Sequence, residues 1–484
     1  LSFIAGILIA RSLGPAEYGN YNFLLGSFTA LITLFDMASS SAFYTIISKK
    51  RQKIQFYFYY FIWLMIQFFL LVLLVFILPD PIKNKIWLGH SNKLIYLALF
   101  TSFSMKKIWE FISQIGESMR DTMGIQVRNL VLAVSYLIIV LFMGIYNVIV
   151  IERLFVLNAI IYVLFSTLYV IRIYQSGLFS VKIKGEFKQG LQNFKDFCYP
   201  LVPYTIFGFV YTFIDYWMLQ RFGGSVQQGF YAIAFKFSTI VLIGTASILQ
   251  VFWKEISDSY SKNDMIRVRL LYESISKSFF FVGIVISSFL VPYSREIIDL
   301  VLGPSFKEAW LPFSLMLFYP VHQSLGQITG TMLYAMEKTK AQSYIGIFFM
   351  SISIITTYVL LSPKTAVMPG FELGATGLAL KMVVCQIIGV NISAFYVAKY
   401  ISIPFDWFHQ FKAFILLPLG IFSKFFSYFI IPPKFIESHQ IITMSISGII
   451  YLLCILTLLY FFPQISGINR KQLNVGLSWI RSRF

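Results

Sequence analysis

Charge, cysteine, histidine and catalytic motifs are all scarce in this chain. Only 12% of its 484 residues are Asp, Glu, Lys or Arg, against about 25% in a typical soluble domain, which excludes an ordinary water-soluble fold. The three cysteines, Cys198, Cys385 and Cys454, lie in or beside apolar runs without paired or metal-ligand spacing, so neither a disulfide framework nor a zinc site is expected. Four histidines, His90, His322, His409 and His439, are scattered and form no catalytic cluster. No glycine-rich loop ends in Lys-Ser or Lys-Thr, which removes a nucleotide-triphosphate site. His-Glu-x-x-His and Gly-x-Ser-x-Gly are missing as well, so no zinc protease or serine hydrolase is indicated. The expectation is a non-enzymatic protein without cofactor or metal, driven by an ion gradient, the membrane potential, consumption of its product, or a partner.

What the chain has instead is apolar length. Hydrophobic residues make up 58%, mean hydropathy is +0.75, and there are 52 Phe and 29 Tyr. Aromatic rings in such numbers suit acyl chains and the headgroup belt. A membrane helix needs about 20 apolar residues, and runs of that kind lie near 1–10, 21–47, 55–78, 94–115, 124–146, 153–174, 199–220, 230–253, 278–301, 309–334, 343–362, 373–398, 408–430 and 440–462. The first is too short to cross, and the chain opens on Leu1 instead of Met, so the start of span 1 is read as missing. The fold class is therefore an all-α polytopic membrane protein of about fourteen transmembrane helices.

The longest polar connection, 176–198, carries Lys182, Lys184, Glu186, Lys188, Lys195 and Asp196. Taken as a cytoplasmic basic linker, it divides a six-helix lobe at 1–175 from a second at 199–398, with two accessory helices and a basic tail at 399–484. Of the 39 lysines and arginines, 26 fall in loops after even-numbered spans or in the tail, and 10 on the opposite side. By the positive-inside rule both termini are cytoplasmic. The net charge of +18 is then a topology signal and an attraction to anionic membrane lipids, and no nucleic-acid partner is required.

Within this frame one spacing occurs twice. Arg11, Gly14, Gly19 and Tyr21 return as Arg221, Gly224, Gly229 and Tyr231, each displaced by 210. Six spans separate the copies, so both have the same orientation, as in a parallel duplication about an axis along the membrane normal. Arg11 and Arg221 fall at external helix ends, where guanidinium forks would bind a polyanionic headgroup or cap and anchor the helix. Charges inside spans are the other informative residues, since they usually face a cavity or a partner. Lys236 and Lys381 are candidates for binding an anion in one central cavity, or else they snorkel. Asp36 and Asp215 are candidates for coupling to H+ or Na+. Glu110, one turn from Lys106 and Lys107, is expected to pair on its own helix, and Lys424 suggests no role.

Ala10-Arg11-Ser12-Leu13-Gly14-Pro15-Ala16-Glu17-Tyr18-Gly19-Asn20-Tyr21 resembles the opening signature of the polysaccharide (O-antigen type) flippases of the multidrug/oligosaccharidyl-lipid/polysaccharide exporter superfamily. Phe197 to Pro203 with Asp215-Tyr216, Gly229 to Lys236, Leu302 to Ala309 and Gly374 to Ala379 are similar to later stretches of that family, in the same order. Where the family often has a basic residue after the aspartate, this chain has Tyr216-Trp217. The resemblance implies two six-helix lobes around a central cavity, two trailing helices and alternating access. It also implies a cargo of undecaprenyl-pyrophosphate-linked oligosaccharide, moved to the periplasmic leaflet of the inner membrane for O-antigen, capsule or exopolysaccharide synthesis. A polysaccharide polymerase would be the partner. Two rivals stand beside it. A multidrug and toxin extruder shares the plan but needs an acidic cavity for cationic drugs. A membrane polysaccharide polymerase or ligase would be expected to carry a large external loop, and no external loop here exceeds about twenty residues.

Overall fold

The computed structural model describes residues 1–49, 54–175, 187–336 and 338–467. It is all α among the described residues, and each of the fourteen apolar segments is occupied by helix. Nine described helices are long and apolar enough to cross a membrane, ten if the bent pair Ser2–Asp36 and Ser39–Ser48 is one span. The physical reason is that backbone N–H and C=O groups in hydrocarbon must be satisfied within the segment, so an apolar run of this length has no alternative to helix. The protein is thus a multi-pass membrane protein. Part of the basic linker (176–186) and the tail arginines and lysine (Arg470, Lys471, Arg481, Arg483) lie outside the described residues; Phe187–Cys198 is helical.

The regular helices are interrupted at a few points that matter later. Gly14 breaks the Ser2–Asp36 helix with φ 71° and ψ 172°. Gly224 does the same after the π-helical turn Leu219–Gly223, with φ 79° and ψ 176°. The fourth span is Asn92–Phe103 and Trp109–Ser118 joined by a π-helical turn at Ser104–Ile108.

Two compact units emerge, Leu1–Gly229 with Met350–Gly374, and Phe230–Phe349 with Ala375–Phe484. In the first, Phe23, Leu24, Phe28 and Phe155 are fully buried, Phe43 stacks on Tyr60 with ring centroids 4.0 Å apart, and Phe28 stacks on Trp87 at 5.4 Å. In the second, the Met265–Leu290 helix is the central post. One cluster around it joins Phe252, Tyr272, Met332 and Val397; another joins Phe280, Val321, Leu416 and Tyr451. The accessory helices Leu416–Ile430 and Gln440–Phe461 pack on this post. A Cβ on Gly420 would overlap the Ser288 carbonyl oxygen, and the Tyr451 hydroxyl donates to the Val285 carbonyl at 3.0 Å. Lys424 now acquires a role: it pairs with Glu296 and donates to the Pro292 carbonyl at 2.7 Å, tying the first accessory helix to the turn Val291–Tyr293 and the helix Ser294–Leu302 that follow the post. Outward faces remain strongly apolar, with Phe58, Phe69 and Phe76 exposed, as lipid contact requires.

Candidate functional site

Asp36 ends the first long helix. The next two residues, Met37 and Ala38, take left-handed backbone at φ 47° and 64°, and the chain restarts at Ser39 with a bend of 60°. Non-glycine residues in that region cost about 1 kcal/mol or more each, so other contacts must hold the bend. The Asp36 carboxylate supplies them: it accepts from Ser39 Oγ at 2.7 Å, from Ser40 N at 3.2 Å and from Ser40 Oγ at 3.0 Å. It thereby caps the Ser39–Lys49 helix, as a short acidic side chain at a helix start does.

Lys107 completes the cluster. Its Nζ lies 2.6 Å from Asp36 Oδ1 and donates to Ser40 Oγ at 2.8 Å. Tyr60 donates to Ser40 Oγ and Gln67 to Ser39 Oγ, both at 3.3 Å. Asp36, Lys107, Ser39, Ser40 and Gln67 are all buried, so three spans meet in one connected polar network. The expected pairing of Glu110 with Lys106 or Lys107 is corrected here. The π-helical turn that contains Lys107 changes the angular spacing along the helix and turns that lysine inward, while Glu110 is exposed and accepts from Gln114 at 3.2 Å.

The second acid has different company. Asp215 is buried and accepts from Thr357 Oγ1 at 2.7 Å; the Ser353 carbonyl, 2.8 Å from the same oxygen, competes for that hydroxyl's single proton. Its neighbour Tyr216 fills the notch left by Gly26, where a Cβ would come within 2.7 Å of the ring. An aromatic residue after the aspartate is thus a packing device on the first helix. Arg11 and Arg221 both belong to this unit and both are exposed. Asp36 and Asp215 share the unit with them but sit in separate networks.

Lys236 and Lys381 belong to the other unit. Lys381 is 1% exposed in the Gly374–Tyr400 helix, and Lys236 is half-buried in the Gly224–Val241 helix. The same unit has a row of amides and a histidine: His322 Nε2 to Gln410 Oε1 at 3.3 Å, Gln410 Nε2 to Asn391 Oδ1 at 2.6 Å, and Gln386 Nε2 to Gln323 Oε1 at 2.5 Å. It also holds a cavity of about 430 Å³ walled by Tyr272, Phe280, Leu325, Phe405 and Trp407, with Lys277 and Asp406 on its lining. Burial works against the Asp406 carboxylate, but the hydrogen bond and charge of Lys277, 3.0 Å away, outweigh it and hold the group below the ordinary carboxylate range. Neither Lys236 nor Lys381 lines that cavity.

Sequence reasoning missed Lys107, Ser39, Ser40 and Thr357 as partners of the two acids. Three consecutive serines, Ser39 to Ser41, separated from Asp36 by only Met37 and Ala38 in an otherwise apolar run were the available signal. Among the described residues no cluster of His, Cys, Asp and Glu could hold a metal ion.

Residues 1–253 match the family described as polysaccharide biosynthesis protein. A protein of Haloferax volcanii, named as the probable low-salt glycan biosynthesis flippase Agl15, is 21% identical over 225 residues; the match spans 46% of this chain and 45% of that relative. Among solved structures, the lipid II flippase MurJ in an inward closed conformation superposes with a TM-score of 0.69 at 17% identity, covering 96% of this chain and 97% of that one. An inward-facing multidrug resistance transporter of the MATE family and MOP superfamily superposes with a TM-score of 0.58 at 13% identity, covering 82% and 94%. These likenesses show the fold of that transporter superfamily.

Proposed function

Given that the chain belongs to the polysaccharide biosynthesis protein family, we propose that it is a flippase for lipid-linked oligosaccharide, an undecaprenyl-pyrophosphate glycan carried from the cytoplasmic to the periplasmic leaflet by alternating access. The observation that carries this reading is cationic: Lys381 is buried inside an apolar helix, and Lys236 is half-buried in another. Charged side chains inside apolar helices are rare and mark polar paths, and two lysines in one unit match the charge of a pyrophosphate. The prenyl tails can stay in lipid while the head crosses, so the protein's task is to hide charge and hydroxyls from hydrocarbon. Lys236 and Lys381 would replace water around the pyrophosphate, Arg11 and Arg221 would receive it at the outer surface, and amides such as Gln323 and Gln386 would meet sugar hydroxyls. In this reading the protein sits in the inner membrane with both termini in the cytoplasm, and a polysaccharide polymerase consumes its product. Asp36 and Asp215 would bind H+ or Na+ and reset the empty carrier.

The test is reconstitution. Vesicles containing the protein should move a fluorescent undecaprenyl-pyrophosphate disaccharide between leaflets, and Lys381→Ala should lower the rate by about tenfold or more. Unchanged flipping in both Lys236→Ala and Lys381→Ala would remove the assigned binding residues. A multidrug extruder is the second reading, favoured by the fold likeness alone. Efflux of a cationic dye such as ethidium, with no movement of the glycolipid, would establish it instead.

A further inference from the structure

The cavity of about 430 Å³ in the second unit is not lined by the lysines assigned to cargo, and its wall changes character with depth. Three apolar runs, 278–301, 373–398 and 408–430, each meet it with one end, on the side assigned to the cytoplasm. Inside those runs the wall is Phe280, Ala398 and Phe408; just outside them it is Glu273, Lys277 and Asp406. One part of the cavity therefore lies at acyl depth and the other at the headgroups. Trp407, exposed and also on the lining, is the kind of residue that such a boundary favours. Its size, apolar wall and few convergent polar groups are those of a small-molecule site.

The polar part selects by charge. It holds two carboxylates, Glu273 and Asp406, against one ammonium, Lys277, whose Nζ is already 3.0 Å from Asp406. An anionic headgroup would meet an excess of negative charge there. His409 adds a second requirement: it is 7% exposed, it lines the cavity, and its Nε2 is buried without a hydrogen-bond partner. Such an atom costs free energy until something bonds to it. A primary ammonium beside a phosphate satisfies each of these groups. The ammonium would donate to a carboxylate or to the imidazole lone pair, and the phosphate would accept from Lys277 or, in the other tautomer, from Nε2. A quaternary ammonium has no N–H to give. We propose that the cavity binds one amine-headed zwitterionic phospholipid, of the phosphatidylethanolamine class, from the cytoplasmic leaflet, with an acyl chain along Phe280 and Leu325. This lipid is a ligand separate from the cargo, and it bridges the Met265–Leu290 post to the start of the first accessory helix. The assignment rests on the orientation of the loops and is independent of what the protein transports.

Native mass spectrometry of the full chain reads the ligand. Delipidated protein in detergent, offered equal amounts of dioleoyl phosphatidylethanolamine, phosphatidylcholine and phosphatidylglycerol, should retain one phosphatidylethanolamine per chain. Glu273→Gln with Asp406→Asn should lower that retention by about tenfold or more, as loss of hydrogen bonds to a charged group does. The asparagine keeps a side-chain oxygen for the His409 N–H, which Asp406 accepts at 3.0 Å. Glu308→Gln, an exposed carboxylate of the same unit that is not on the lining, is the control and should leave retention unchanged. Equal retention of the three lipids, or a preference for phosphatidylglycerol, would overturn the amine-headed ligand. A preference that survives in the double variant would overturn the site. A second measurement needs no variant. Phosphatidylethanolamine with a diazirine at the end of one acyl chain, in proteoliposomes of the unaltered chain, should label residues 272–280, 325 or 403–410 on illumination. Unlabelled phosphatidylethanolamine should displace that labelling and phosphatidylcholine should not. No labelling of those segments, or equal displacement by both lipids, would sink the proposal. Both readouts work without glycolipid, so a chain that binds the amine lipid and moves no glycolipid would uphold this site and remove the cargo.

Discussion

Asp36 and Lys107 form a buried pair whose energetic role can be separated from any part in transport. Removing one partner of such a pair leaves an uncompensated charge and typically costs about 3–5 kcal/mol, whereas replacing both by apolar side chains is often close to neutral. Lys107→Met should therefore lower the thermal midpoint sharply, and Asp36→Leu with Lys107→Met should recover most of it. If Asp36 is the coupling group, the double variant stays folded but loses the dependence of flipping on a proton or sodium gradient. Recovery of both would leave the pair a purely structural cap on the bend at Met37 and Ala38. Thr357 offers the parallel test for Asp215. Its hydroxyl donates at 2.7 Å, and leaving a buried acceptor short of a donor costs about 1–3 kcal/mol. Thr357→Val should destabilise the fold and shift the ion concentration needed for half-maximal flipping, and Thr357→Ser should restore both. A Val variant with an unaltered ion requirement would take Asp215 out of coupling.

At the scale of helices, the interruptions carry the specificity. Gly14 and Gly224 hold φ 71° and 79°, conformations in which a side chain is strained by about 1 kcal/mol or more. Gly14→Ala and Gly224→Ala should each lower stability by about that amount, although a Cβ at either position meets nothing within 4 Å. Gly208→Ala, inside the Val202–Met218 helix, should instead be neutral or stabilising by up to about 1 kcal/mol, because alanine is the better helix former. Equal effects at all three positions in thermal unfolding would contradict a conformational cause. The same interruptions mark where reading the sequence stops working. Every apolar run became helix because lipid leaves the backbone no other partner. Nothing local in Met37-Ala38 demands left-handed backbone; the Asp36–Lys107 network, assembled from residues 71 positions apart, imposes it. Lys107 was assigned to Glu110 by regular helical spacing, and the π-helical turn is what breaks that spacing. Lys424 had no partner in sequence because Glu296 lies 128 residues away.

At the scale of the molecule, charge and potential should set the direction of transport. The formal net charge of +18 is concentrated in loops assigned to the cytoplasm, where anionic lipids attract basic segments by about 1 kcal/mol per side chain near the surface. Those loops would hold the protein in register with a dianionic headgroup on the same face. Moving one elementary charge through 100 mV is worth about 2.3 kcal/mol, so a pyrophosphate with two charges gains several kcal/mol on leaving an inside-negative compartment. In vesicles with the cytoplasmic face inward, a potassium diffusion potential set by valinomycin should drive the fluorescent glycolipid outward against its gradient. Reversing the potential should reverse the accumulation. A proton or sodium antiport at Asp36 or Asp215 adds positive charge moving inward, which the same potential favours, so coupling would steepen the voltage dependence. Accumulation that ignores the potential but collapses with the ion gradient would mean that cations leave with the cargo and balance its charge, because lysines that return with the empty carrier cancel over the cycle; antiport at both acids would then be wrong.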